Sequence, residues 1–163
     1  SHLYEIVLQS YLFLGFPRML GAAENLSEVW PVPSPDYAEA GAADFEQWKI
    51  AGDALYKRIY GGNADRLRQR VTGFAPEIFE WMIVEGYGKV LSRPGLDIAT
   101  RELAIVAFLT VDNRPKQLMS HIRGALRVGV TTAQIGATID DLQTVAVDGA
   151  AGARRILDQS GVI

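Results

Sequence analysis

From Leu3 to Phe16 the chain is apolar on nearly every side, with Glu5 as its only charge. A helix built on that pattern has no face to give to water and must be buried all round. A chain of 163 residues has difficulty surrounding such a helix alone. Burial against a second copy is the natural outcome, so this one segment already predicts a homo-oligomer.

The rest of the chain continues in the same secondary structure. Alternating β-branched runs are few, and no Asn-Gly or Asp-Gly turn joins apolar stretches, so strands are not expected. Gly15-Phe16-Pro17 should break the first helix, and a second resumes over Arg18–Val29. Trp30-Pro-Val-Pro-Ser-Pro35 reads as an extended connector. Helices are predicted over Ala42–Tyr60, Ala64–Val71 and Pro76–Leu91, punctuated by Gly61-Gly62-Asn63 and Thr72-Gly73. Asp97 or Thr100 caps the next helix, which runs to about Asp112. Arg114-Pro115 opens another that ends at Gly129. Thr131 or Thr132 caps a helix reaching toward Leu142, and an Ala-rich one covers Val145–Gln159. The expectation is an all-α, single-domain bundle of about seven to eight helices over residues 1–163. It has an N-terminal helical portion, 3–72, and a motif-bearing region, about 76–143.

Composition narrows the function. The chain has no Cys, which removes disulfide frameworks, thiolate zinc sites and thiol redox chemistry. A net charge of -3 argues against nucleic acid as a partner. No apolar run reaches the ~18–20 residues of a membrane span, and no secretory leader is visible, so no membrane partner is expected and the cytoplasm is the default compartment. A metal site is not expected either, because His121 is the only internal histidine and no carboxylate pair stands at ligand spacing.

The chemistry is concentrated between Tyr87 and Gln134. Glu102 lies in the first turn of a helix and is followed by seven apolar residues, Leu103–Leu109. Nineteen residues later, His121 falls on its own helix about 60° from Leu118, at the edge of an apolar stripe of Leu118, Ile122, Ala125 and Gly129. A catalytic imidazole and a structural histidine both sit at such an edge. Arg93 and Arg101 flank the start of the Glu102 helix; they read either as surface ion pairs or as guanidinium forks for a carboxylate. Lys116, Arg123 and Arg127 read as a solvated face, and Trp81, Tyr87 and Phe108 as core.

LSRPGLDIATRELAIVAFLTV followed by HIRGALRVGVT resembles the carboxymuconolactone decarboxylase family. Arg93, Pro94, Gly95, Leu96, Arg101, Leu103, His121, Ala125, Gly129, Val130 and Thr131 match its pattern in order and spacing. The resemblance implies an alkyl hydroperoxidase D-like fold that forms trimers or hexamers, with a buried helical hairpin at the subunit interfaces. In the redox branch of that family a Cys-x-x-Cys pair stands between the Glu and the His; the two positions are Arg114 and Gln117 here, so thiol peroxidase activity is not expected. The decarboxylase branch uses no cofactor. By this resemblance His121 would donate a proton or stabilise a dienolate, Glu102 would set its tautomer, and Arg93 or Arg101 would hold a substrate carboxylate. Arg114 would add an anion contact. The implied reaction is loss of carbon dioxide from a carboxylated lactone or related acid of aromatic catabolism. The alternative is a non-redox member that binds or isomerises another small carboxylic acid.

Overall fold

The computed structural model describes residues 2–30 and 41–160. Among them every regular element is helical, as the patterning predicts. The Pro-rich connector from Pro31 onward lies outside the described residues. No helix among them is long and apolar enough to cross a membrane.

Helix α1 (His2–Leu14) and helix α2 (Phe16–Val29) form a hairpin. Its corner is Gly15, whose φ of 82° is open to glycine at little cost, and Pro17 follows in the first turn of α2. Helix α3 (Ala42–Tyr60) leads through a 3₁₀ turn, Gly61–Asn63, into α4 (Ala64–Thr72). Helix α5 (Pro76–Trp81) continues without a break into a π-helical stretch, Met82–Leu91. Periodicity gave no sign of that change of winding, which is uncommon at this length and recurs at functional sites.

Helix α6 (Ile98–Val111) is capped by Asp97, whose side chain accepts from the Thr100 N–H. Helix α7 (Pro115–Arg127) returns along it. Helix α8 (Thr132–Asp141) starts at a capping box in which Thr131 and Gln134 satisfy each other's backbone N–H. Helix α9 (Val147–Ser160) closes the bundle against α6, α7 and α8. The core runs through Ile105, Val106, Ile122, Ala125, Ile135, Ile139, Ala153 and Leu157.

Two glycines let α3 and the π-helical stretch meet backbone to backbone. A Cβ on Gly52 would lie 2.0 Å from the Ile83 carbonyl oxygen, and one on Gly88 2.0 Å from that of Trp48. This approach draws Tyr56, Tyr60 and Tyr87 into one aromatic cluster with ring centroids 4.9–6.2 Å apart.

A single chain covers only part of helix α1. Within the chain, the residues it buries are Glu5, Val7, Gln9 and Ser10, three of them polar. Ile6, Leu8, Tyr11, Leu12, Phe13 and Leu14 are only half-buried, and Leu3 is exposed. The polar face turns inward because a buried guanidinium waits there. Arg101, fully buried on α6, donates to Glu5 (2.9 Å), Gln9 (3.0 Å) and the Arg93 carbonyl (3.0 Å), while Gln9 donates back to the Arg101 carbonyl (3.1 Å).

Candidate active site

Glu102 is the next residue after Arg101 on α6, and it is equally buried. Its Oε2 lies 3.0 Å from Nδ1 of His121 on α7. The α6–α7 packing thus brings together the two residues singled out from the sequence, nineteen positions apart. Gly124, one turn after His121, makes room for the carboxylate: a Cβ there would lie 2.8 Å from Ile59 Cγ2 and 3.2 Å from Glu102 Oε2. With Glu102 ionised it can only accept, so Nδ1 carries the shared proton and Nε2 is the free nitrogen of the ring. Oε1 of Glu102 is buried with no hydrogen-bond partner among the described residues. Phe13 of α1 holds the imidazole edge-on, with ring centroids 5.4 Å apart at 86°.

His121 lines a cavity of about 920 Å³. One wall is α7, with Lys116, Gln117, Ser120 and His121. Another part of the lining is Leu67, Arg70 and Val71 of α4, Phe74, Ile78 and Trp81 of α5, and Met82. Tyr60 and Tyr87 also face the cavity, and the Tyr87 hydroxyl donates to that of Tyr60 at 2.9 Å. Two phenols share two protons, and their mutual bond uses one. The Tyr56 hydroxyl donates to the Ala64 carbonyl and takes no part. One phenolic proton is therefore left to offer. Burial pushes the Tyr60 hydroxyl up to about 12, against the bond from Tyr87 and helped by the charge of Glu102. Burial raises Tyr87 well above its ordinary value too. Both stay protonated donors at neutral pH.

The three arginines read as carboxylate holders stand elsewhere. Arg101 spends its fork on Glu5 and Gln9. Arg93 pairs with Glu5 at 3.1 Å. Arg114, expected beside His121, is exposed and pairs with Asp112 at 2.7 Å. None of the three lines the cavity; of the two positions occupied by cysteines in the redox branch, Gln117 does and Arg114 does not. The cations that do line it are Arg70 and Lys116, both exposed, the second read from the sequence as merely solvated. Trp81 also departs from its reading as core, being 64% exposed at the edge of the cavity. Glu85 lines the cavity as well, accepting from the Tyr11 hydroxyl at 2.5 Å.

Sequence reasoning missed the tyrosine pair. Its one linear trace is the register Gly52, Tyr56, Tyr60 on α3, a small residue and two aromatics one turn apart, together with Gly86-Tyr87-Gly88. Among the described residues no group of three or more His, Asp or Glu is placed to hold a metal ion.

Comparison with known proteins places the chain in a family. Peroxisomal protein 2 of Schizosaccharomyces pombe is 29% identical over 135 residues. The match covers 82% of this chain and 63% of that protein, so the chain spans less than two thirds of its relative's length. The pattern of the carboxymuconolactone decarboxylase family matches residues 76–159, just over half of the chain and the part that carries Glu102, His121 and Tyr87. The chain belongs to the carboxymuconolactone decarboxylase family.

Proposed function

We propose that this chain is a cofactor-independent carboxy-lyase, acting on a carboxylated lactone or a related small acid whose own carbonyl serves as electron sink. The observation that carries the reading is the His121–Glu102 pair at 3.0 Å, one ring nitrogen fixed by a buried carboxylate and the imidazole lining a cavity. Cleavage of the carbon–carboxylate bond releases carbon dioxide and leaves its electron pair on the carbonyl oxygen as an enolate. The remaining phenolic proton of the Tyr60–Tyr87 pair is a donor for that oxygen. Protonated His121 delivers its Nε2 proton to carbon, regenerating the carbonyl, and takes up a fresh proton from solvent. Glu102 fixes the ring's orientation through Nδ1. Lys116 and Arg70 are the charges available to a carboxylate entering the cavity. No redox group enters this step, because nothing is oxidised or reduced beyond the substrate's own rearrangement.

A second reading is favoured by the absence of Arg93, Arg101 and Arg114 from the cavity lining. It is a non-redox member that isomerises another small carboxylic acid, with His121 moving a proton between two carbons. The two readings separate in one experiment. γ-Carboxymuconolactone is followed by ultraviolet absorption and NMR with the purified protein and with His121→Ala. Turnover that falls about 10²–10⁴-fold in the variant supports the carboxy-lyase. A folded protein that leaves the lactone untouched sinks it, and deuterium uptake from solvent into other acids then tests the isomerase.

We also propose a homo-oligomer, trimeric or hexameric, assembled through the α1–α2 hairpin. Its support is the exposed apolar surface of Leu3, Phe16 and Leu20 on that hairpin. A stable monomer in sedimentation would remove this proposal.

A further inference from the structure

The cavity is larger and more apolar than a single small ring with two acid arms calls for. At about 920 Å³ it stands near the top of the range for drug-sized ligands, ~300–1,000 Å³. Its two walls differ in kind. The α7 wall carries the polar side chains Lys116, Gln117, Ser120 and His121, whereas the α4–α5 wall is mainly apolar, with Arg70 as its one charged side chain. That surface continues outward: Val71 is buried, Leu67 and Met82 are half-buried, and Phe74, Ile78 and Trp81 are exposed. An apolar lining that runs from interior to surface is costly in water and favours a ligand long enough to cover it. Glu85 also stands in this lining, its carboxylate paired with Lys89 at 3.4 Å and accepting from Tyr11, which leaves Lys116 as the cation of the α7 wall for one acidic head.

Resting on the reading that this cavity is the substrate site, we infer that its ligand is an organic acid with one acidic head and an extended apolar body. The head lies on the α7 wall near Lys116 and His121, and the body lies along Leu67, Val71, Ile78 and Trp81.

The test is calorimetric titration of the whole protein with straight-chain monocarboxylic acids from butanoic to dodecanoic, beside muconic acid as a compact diacid. Each methylene that enters the apolar wall is expected to tighten binding about fourfold, from ~0.8 kcal/mol per buried CH₂. Phe74→Ser and Trp81→Ser change exposed side chains and should leave folding intact. They are expected to weaken the longest acids by tenfold or more while leaving butanoic acid unchanged. Muconic acid binding as tightly as dodecanoic acid, or affinities that do not depend on chain length, would overturn the inference. So would a sedimenting oligomer that binds none of the acids and shields Trp81 from a fluorescence quencher, since a second copy would then cover the wall. Because the readout is binding, its failure is distinct from failure to decarboxylate the lactone.

Discussion

Arg101 and Glu102 are neighbours on α6, both ionisable and both fully buried, yet their surroundings are opposite in kind. Arg101 meets Glu5, Gln9 and the Arg93 carbonyl, a cluster that ties α1 to α6 and leaves only its Nε without a partner among the described residues. Among the described residues Glu102 has one hydrogen-bond partner, His121, and one carboxylate oxygen with none. A buried charge with several partners is part of the frame. One whose partner lines a cavity stands where the proposed chemistry would need it. The difference teaches that burial alone does not tell two buried charges apart; what each one meets does, a packed polar cluster for Arg101 and the cavity-lining His121 for Glu102.

The sharpest way to break the contrast is to change each neighbour in turn. Arg101→Met leaves Glu5 and Gln9 turned inward without their main partner and should cost about 3–5 kcal/mol of unfolding free energy, read by denaturant titration. Arg93 still reaches Glu5, which puts the expected loss toward the lower end. Glu102→Gln should leave stability within about 1 kcal/mol and lower turnover on the order of 10²-fold. The opposite pattern, a stable Arg101 variant and an unfolded Glu102 variant, would invert the assignment.

Next in size, Tyr60→Phe removes the hydroxyl that accepts from Tyr87 and should reduce kcat about 10²-fold with little change in KM. Steady-state kinetics at saturating substrate would show it. A loss confined to KM would make Tyr60 a binding residue only. Gly124→Ala tests the spacing of the pair, since the new methyl meets Ile59 and Glu102 Oε2. We expect about 1–3 kcal/mol of destabilisation, together with a weaker His121–Glu102 contact seen in the imidazole NMR shifts.

The smallest effect is pH dependence. Burial pushes the Glu5 carboxyl up, but hydrogen bonds and charge from Arg93 and Arg101 outweigh it and hold the group below its ordinary value of 4.5. A group with a lowered folded pKa contributes stability that is fully present above the unfolded value and is lost as pH falls through the folded one. The stability due to this cluster should therefore hold above about pH 5 and fade below 4.5. Thermal melts of Arg101→Met should show a flatter acid limb than the parent chain. Equal acid limbs would place the loss on other carboxylates.

Local signals carried most of the architecture. Gly15 and Pro17 set the α1–α2 corner, Asp97 and the Thr131–Gln134 box set two helix starts, and each acts within four residues of where it stands. His121 and Glu102 were legible for a related reason. An only internal histidine and a charge heading an apolar run are visible in a linear string, and the family pattern supplied their pairing.

What only the tertiary structure decided is which face of each helix meets which neighbour. The apolar pattern of α1 says that it is buried all round, but not that a buried guanidinium ninety-odd residues away draws its polar side chains to the inner face of the chain. The same limit hid the Tyr60–Tyr87 pair, formed because Gly52 and Gly88 let two backbones touch. It also hid the turn of Arg93, Arg101 and Arg114 away from the cavity. The sequence by itself determined the helices and most of their ends, because those follow from short-range geometry and composition, and it singled out Glu102 and His121 as candidates. The cavity, the donor beside it and the division of labour between Arg101 and Glu102 come from long-range packing, where a side chain's role is set by the partner it meets.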